Sequence, residues 1–346
     1  MIIKCDINIS EQRYQHILSE IRRLGVTPDI LRGRDGVNTP VIGLKGDCIH
    51  LLPGDFTKLE GVADVQRITV PYKLASRNYN HLDTVIEVGA AAIGGDNPVV
   101  FMAGPCAVES REQILKIAEQ VAGQGAQILR GGAWKPRTFA RTFEGLKEDA
   151  LKFLQEASRL TGLPVVTEVI SPNLIDLCYC YTDIFQVGAR NMQNFDLLDK
   201  LGMQNKPVLL KRGVSATLDE LLGAADRILE GGNKKVMLCL RGVRTFDYSQ
   251  RYPADLYAIP DLLRKTHLPI IFDPSHSAGT RSLVPEIARM AIAGGVHGLI
   301  IEAHYNPPEA LCDGSQMITP DELGQLVTYA RELRKLHKAL AGKPNG

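Results

Sequence analysis

A chain of 346 residues exceeds what one small core needs, so a large domain beside a small one is the expectation. Lys+Arg 40 against Asp+Glu 39 leaves a formal net charge of +1, which excludes a global attraction to nucleic acid or acidic membranes; any anion binding has to come from local clustering. Seven cysteines without a CxxC pair, a first stretch (Met1–Ser10) lacking a long apolar core, and no apolar run of bilayer length point to a reduced, cytoplasmic setting with no membrane partner.

In chain order, Met1–Ile9 alternates enough for a strand. Ser10 can cap a helix with Glu11 in its first turn, and Tyr14, Ile17, Leu18, Ile21 and Leu24 fall on one helical face. Asp29–Arg32 and Val41–Leu44 read as a hairpin. A short helix near Phe56–Leu59 and a strand at Val65–Val70 complete a β-α-β-β-α-β order, a small ferredoxin-like α+β domain over residues 1–70. No catalytic cluster stands here. The plain reading is packing or oligomerisation, and the sharper one is a regulatory domain that senses a small molecule. Residues 71–95, from Pro71-Tyr72 to Gly94-Gly95, read as a connector with a short hairpin, Val85–Val88 then Ala90–Ile93, capping a barrel floor.

Residues 96–346 follow a different pattern. Eight apolar runs appear: Val99–Met102, Ala126–Leu129, Pro164–Val166, Ile184–Val187, Pro207–Leu210, Val236–Leu240, Leu268–Phe272 and Gly298–Ile301. Helical patterns separate them, with predicted faces such as Leu115, Ala118, Ala122 and Leu146, Phe153, Leu154. Short strands that are apolar throughout, alternating with helices, imply a parallel sheet buried on both faces. Eight such units fit a closed (β/α)8 TIM barrel. An open doubly wound sheet is the alternative, but its glycine-rich loop is missing: the first run ends in Ala103-Gly104-Pro105-Cys106.

Barrel enzymes carry their chemistry just past the C-terminal strand ends. Those positions hold Cys106; Arg130, then Lys135 and Arg137; Glu168; Ala189-Arg190; Lys211-Arg212; Arg241; Asp273 with His276; and Glu302 with His304. A surface role would scatter cations over helix faces. Cations that follow four different strands converge instead, and they suit phosphate and carboxylate. Cys106, His276, Glu302 and Asp313 form a second set. A thiolate, an imidazole and carboxylates suit a borderline divalent ion such as Zn, Mn, Fe or Co. Taken singly, Cys106 reads as a buried thiol, His276 as a loop histidine and Asp313 as a turn residue. Their shared rim is what favours the metal. Cys312 reads as structural, since neighbours in a loop diverge, and Cys178 and Cys180 read as core packing.

The stretches AGPCAVES (103–110), LRGGAWKPRTF (129–139), QVGARNMQNF (186–195), KPVLLKRG (206–213), LRGVRTF (240–246), DPSHSAG (273–279) and IIEAHYNPPEALCDG (300–314) resemble 3-deoxy-D-arabino-heptulosonate 7-phosphate (DAHP) synthase, in its type I beta form with an N-terminal ferredoxin-like domain. The likeness runs over essentially the whole chain. It implies a transferase that condenses phosphoenolpyruvate with D-erythrose 4-phosphate and water, the first step of the shikimate pathway to chorismate and the aromatic amino acids. It also implies Cys106, His276, Glu302 and Asp313 as metal ligands. Arg130, Lys135, Arg190, Lys211 and Arg241, with the Ala189 backbone, match the phosphoenolpyruvate cage, and Asp273 is placed with the substrate-binding set. Lys135-Pro136-Arg137-Thr138 resembles the erythrose 4-phosphate motif, with Arg137 and Thr138 on its phosphate. Glu168 resembles the carboxylate that orders water near the reacting carbon, and Lys135 lies between the two substrate sites as a proton donor. Feedback inhibition by tyrosine or phenylalanine and a homo-oligomer, a tetramer, are expected on the same ground. The related 3-deoxy-octulosonate 8-phosphate synthases carry Ala-Asn-Arg-Ser where this chain has Lys135-Pro136-Arg137-Thr138, which favours the four-carbon aldose. Ala107 departs from the Ser often found after the metal-ligand Cys. A non-catalytic phosphate sensor is the reading from another class, and a set of four metal ligands argues against it.

Overall fold

Ser10 starts the first helix as its hydroxyl position allows: the side chain accepts from the Arg13 amide, and helix α1 runs Glu11–Arg23 with Ile17, Leu18 and Ile21 buried. In this computed structural model the described residues are 1–31, 40–45, 48, 50–67, 70–135, 143–247 and 250–341. Around α1 stand β1 (Ile2–Cys5), β2 (Thr27–Leu31), β3 (Val41–Lys45) and β4 (Val62–Gln66), paired antiparallel in the order β2-β3-β1-β4. This is the ferredoxin-like arrangement. One apolar cluster joins Ile3, Ile17, Ile21, Ile42, Leu44 and Phe56. The helix expected near Phe56–Leu59 is only a 3-10 turn at Pro53–Asp55, because Pro53, Gly54 and Gly61 leave too few helix-forming residues. The last strand runs Val62–Gln66, and Ile68 and Thr69 of the predicted stretch lie outside the described residues. Arg32, in the predicted hairpin, lies outside the described residues.

A two-stranded hairpin follows, β5 (Ile86–Val88) and β6 (Ala91–Ile93). Eight parallel strands then close a barrel: β7 (Val100–Gly104), β8 (Ile128–Arg130), β9 (Val165–Glu168), β10 (Ile184–Val187), β11 (Val208–Lys211), β12 (Val236–Leu240), β13 (Ile270–Phe272) and β14 (Gly298–Glu302). The helices are α2 (Arg111–Gly123), α3 (Glu148–Thr161), α4 (Ile175–Tyr179), α5 (Phe195–Gly202), α6 (Leu218–Glu230), α7 (Ala258–Lys265), α8 (Ser275–Ala278), α9 (Val284–Ala293) and α10 (Pro320–Ala341). Hairpin residues Ile86, Val88, Ala91 and Ile93 share one apolar cluster with Val100, Ile128 and Ile184 at the strand starts. No described helix is long and apolar enough to cross a membrane.

Several strands begin just after the predicted prolines, because Pro164, Pro207 and Pro269 have no N–H to give the ladder. They also run on to Arg130, Glu168, Lys211 and Glu302, so these chemistry-bearing residues are rigid ladder members. Two helix faces differ from expectation. The buried face of α2 is Ile114, Ile117, Ala118 and Val121, and that of α3 is Ala150, Leu151, Leu154 and Ala157, with Leu146 ahead of the helix. Both helices carry apolar residues on more than one side, and only packing selects between them. Cys178 is buried as expected, but Cys180 is exposed.

The chain divides into two compact units, Met1–Asp83 with Arg264–His267, and Thr84–Leu263 with Leu268–Gly346. In the first, buried His267 donates Nε2–H to the Leu74 carbonyl (2.7 Å), while Nδ1 faces the Asn80 amide (3.5 Å). Burial lowers its pKa from 6.5 to about 4. The unfolded chain therefore binds more protons between those values. Stability is full above about pH 6.5 and is lost as pH falls toward about 4, by on the order of 3 kcal/mol. Urea midpoints at pH 7 and pH 4.5 should fall further apart in the wild type than in His267→Gln.

Candidate active site

The strand ends set the site. Arg130, Glu168, Lys211 and Glu302 close β8, β9, β11 and β14, while Arg241 and Asp273 follow β12 and β13 directly. Cys106 lies just past β7, and His276 sits in the first turn of α8. Asp313 comes from the loop after β14, in a left-handed conformation (φ 56°) that a short Asp tolerates. Beside it, Gly314 is required: a Cβ there would stand 2.3 Å from the Pro307 carbonyl oxygen.

Donor atoms of Cys106, Glu302 and Asp313 all lie within 4.8 Å of one another. Cys106 Sγ is 2.9 Å from Asp313 Oδ2, and His276 Nε2 is 3.7 Å from Glu302 Oε1. Two donors each about 2.1 Å from a tetrahedral ion stand about 3.4 Å apart, so these separations suit one shared ion. Asp273 Oδ2 accepts from His276 Nδ1 (2.8 Å), which leaves Nε2 as the free donor atom of the ring. Cys106, Glu302 and Asp313 thus fit a divalent metal by donor chemistry and by spacing, and His276 adds an imidazole nitrogen beside Glu302.

Cations stand beside this set. Arg130 donates Nη1 to Glu302 Oε1 (2.8 Å) and Nη2 to the Cys106 carbonyl (3.4 Å). Lys211 pairs with Asp273, Lys135 Nζ is 2.8 Å from Cys106 Sγ, and Arg241 Nη2 reaches the His276 carbonyl (3.4 Å). The buried Nε groups of Arg130 and Arg241 have no hydrogen-bond partner among the described residues. An unmade bond of this kind is costly, so each of these donors is available to a bound ligand.

Burial alone would raise the carboxyls of Glu302 and Asp273. For Glu302 it is outweighed by His276, Arg130 and Lys135, and for Asp273 by His276, Lys211 and Arg241, so both stay ionised well below the usual range. Burial would discharge Lys135, but Cys106 and Glu302 raise it and keep it an ammonium. Hydrogen bonding with Cys312, then burial and Glu302, push the Cys106 thiol up, and Lys135 opposes them.

Of the residues predicted from sequence, Cys106, Arg130, Lys135, Lys211, Arg241, Asp273, His276, Glu302 and Asp313 are joined in this one network. Glu168 stands apart from it, with the Gln186 amide 3.5 Å away. Ala189 and Arg190 form the turn after β10, where Arg190 is exposed and makes no ion pair among the described residues. Pro136, Arg137 and Thr138 lie outside the described residues. Arg212 and His304, also strand-end residues, point elsewhere. Arg212 pairs with Asp255 (2.6 Å) and the Ala216 carbonyl (2.8 Å), and His304 accepts from the Asn306 amide (2.9 Å). Consecutive residues of a strand face opposite sides, so Lys211 and Arg212 cannot share a pocket.

Sequence reasoning missed three neighbours. Gln316 donates to Glu302 Oε2 (2.7 Å), and Ser275 Oγ accepts from the Glu302 amide (2.9 Å). Cys312, read as diverging from Asp313, is buried in one small cluster with Cys106, Ala107 and Met317. The only signal for Gln316 was its place just past Asp313.

A closed parallel (β/α)8 barrel with donor-rich cations beside a thiol–imidazole–carboxylate set is the class that fold and site define. Residues 76–339 match the DAHP synthetase I family, and residues 1–70 match the DAHP synthase ferredoxin-like domain. A phospho-2-dehydro-3-deoxyheptonate aldolase of Thermotoga maritima is 44% identical over 310 residues, 90% of each chain. A 2-dehydro-3-deoxyphosphooctonate aldolase of Geobacter sulfurreducens is 30% identical over 271 residues, 73% of this chain and 98% of its own. The crystal structure of a Thermotoga maritima phospho-2-dehydro-3-deoxyheptonate aldolase matches with a TM-score of 0.75 at 41% identity, covering 99% of both chains. A truncated Thermotoga maritima 3-deoxy-D-arabino-heptulosonate 7-phosphate synthase matches at 0.70 and 43%, covering 79% of this chain and 98% of that one. This chain belongs to the DAHP synthetase I family, with the ferredoxin-like domain found in DAHP synthases.

Proposed function

We propose that this protein is a 3-deoxy-7-phosphoheptulonate synthase. It joins phosphoenolpyruvate to D-erythrose 4-phosphate with water and releases DAHP and inorganic phosphate. Beyond family membership, one observation carries the reading: Arg130, with an unused buried donor, adjoins the Cys106–Glu302–Asp313 set, and Arg241, with another, reaches the His276 backbone beside it.

Cys106, His276, Glu302 and Asp313 would hold a divalent ion (Mn, Fe, Co or Zn), which when bound supplies Lewis-acid polarisation of the aldehyde. The chain's own residues do the rest. Arg130, Lys211, Arg241 and Arg190, with the Ala189 backbone, bind the carboxylate and phosphate of phosphoenolpyruvate, and Asp273 holds Lys211 in place. Arg137 and Thr138 bind the phosphate of erythrose 4-phosphate, with Pro136 shaping the same substrate-binding stretch. These contacts hold anions together that would otherwise repel, so much of the catalysis is positioning. As C3 of phosphoenolpyruvate bonds to the aldehyde carbon, the Lys135 ammonium protonates the new alkoxide. Glu168 directs water onto C2, where positive charge develops. Departure of phosphate from C2 leaves the keto group.

Residues 96–346 are the proposed catalytic domain and 71–95 the connector. Residues 1–70 are the proposed regulatory and assembly domain, with tyrosine or phenylalanine as effector and a homo-tetramer as the assembly, in the cytoplasm. The deciding experiment is phosphate release from phosphoenolpyruvate with each aldose phosphate. Release with erythrose 4-phosphate is expected. Release only with arabinose 5-phosphate would mean the octulosonate reaction, and none with either would leave a sensor.

Gly188 tests the role of Glu168. Its backbone is ordinary (φ −67°), yet a Cβ there would stand 2.0 Å from Glu168 Oε1. Gly188→Ala should displace that carboxylate. A displacement of about 1 Å costs on the order of a hundredfold in kcat. An unchanged kcat in a folded variant would remove Glu168 from the chemistry.

A further inference from the structure

Asp273 is held more tightly than a substrate contact needs to be. It is 1% exposed, its amide donates to the Leu240 carbonyl (2.8 Å), and its own carbonyl accepts from Ser277 Oγ (2.7 Å). Its Oδ1 accepts from the His276 amide (3.0 Å). Its Oδ2 takes two donors at once, the Lys211 ammonium and His276 Nδ1. One oxygen therefore touches both halves of the site: Lys211 belongs to the cations, and His276 turns its other nitrogen toward Glu302.

We propose that Asp273 is a positioning residue that couples the anion pocket to the metal pocket, so that phosphoenolpyruvate and metal each tighten the binding of the other through this shared carboxylate. The inference rests on the function proposed above and deepens it. The physical reason is competition for one oxygen. An anion that draws the Lys211 ammonium toward itself loosens the Lys211–Asp273 bond. The oxygen then accepts more strongly from Nδ1–H, and Nε2 becomes a better donor to an ion. The cycle also runs backward. An ion on Nε2 polarises the ring and strengthens Nδ1–H···Oδ2, which frees Lys211 for the anion. Linkage requires the two effects to be equal. Direct attraction between an ion and an anion would add to this without using Asp273, so the coupling has to be measured with and without the shared oxygen.

The test uses full-length protein stripped of metal and titrated with Co²⁺, read by the thiolate-to-cobalt absorption, with and without saturating phosphoenolpyruvate. In the wild type, phosphoenolpyruvate should tighten Co²⁺ by about 5-fold or more. Asp273→Asn keeps an acceptor for Nδ1–H but loses the ammonium's partner. Its Co²⁺ affinity should fall by about 10- to 100-fold, and the coupling factor should drop well below the wild-type value. Lys211→Met removes the competitor instead and keeps the carboxylate. It should bind Co²⁺ more tightly than the wild type when no substrate is present. A merely structural Asp273 would weaken both ligands and leave the coupling factor intact. An undiminished coupling factor in Asp273→Asn, or an unchanged Co²⁺ affinity in Lys211→Met, overturns the proposal. Wild-type protein that binds Co²⁺ and phosphoenolpyruvate independently sinks this inference alone. Wild-type protein that binds neither sinks the proposed function with it.

Discussion

Cys106→Ala should abolish turnover and strip the site of metal while the barrel stays folded. The sulfur is fully buried and lies within reach of Glu302, Asp313 and the Lys135 ammonium, and the other thiol beside it, Cys312, is not among the grouped donors. Losing a Lewis acid worth several kcal/mol corresponds to about a thousandfold or more in rate. Deleting one buried atom costs the fold only about 1 kcal/mol. Metal content after gel filtration, kcat and the thermal midpoint separate these effects. Cys106→Ser should keep the geometry and recover little, because an alcohol is a harder and weaker donor than a thiolate. Full activity of metal-stripped wild type would remove the metal from the mechanism altogether.

Arg130→Met should be the most destabilising single change in the site. Arg130 and Glu302 are a buried pair at 2.8 Å, with side chains 7% and 1% exposed. Removing the guanidinium leaves a buried carboxylate without its paired cation, with Gln316, His276 and the more distant Lys135 ammonium around it. Breaking such a pair costs about 3–5 kcal/mol, and in urea it should appear as a lower midpoint with an unchanged slope. Phosphoenolpyruvate binding should be lost as well. Adding Glu302→Gln should restore much of the stability, since the uncompensated charge is gone. The double variant should stay inactive, because neither the cage nor the donor set is rebuilt. If Arg130→Met is as stable as the wild type, Glu302 must find another counter-charge in the folded state.

Much of the site was legible because a parallel barrel converts sequence position into spatial position. A residue that ends a buried strand stands at the rim, so Arg130, Lys211, Arg241 and Glu302 could be read as neighbours from far-apart runs. The same rule over-reads. It names Arg212 and His304 equally, and the alternation of a strand turns Arg212 toward Asp255. It also under-reads wherever donors come from irregular loops. Asp313 sits 207 residues from Cys106 in sequence and 2.9 Å from it in space, and no periodicity connects them. Donor chemistry and an assumed shared rim, rather than periodicity, brought Asp313 into the set, and likeness to the family then supported it.

The sequence by itself determined the eight buried strands, the order of the polar residues at their ends and the family, because burial on both faces demands apolar runs that charged side chains bring to a close. It also pointed to the small α+β unit at the front, whose capped first helix is local in origin. Tertiary structure alone decided which of two adjacent cations enters the mouth, which face of α2 and α3 is buried, and that Gln316 and Cys312 stand beside the donor set. It alone showed that one oxygen of Asp273 serves both Lys211 and His276. Those choices depend on strand register, on a left-handed turn at Asp313 and on competition for a few lone pairs. They arise only once distant segments are packed together.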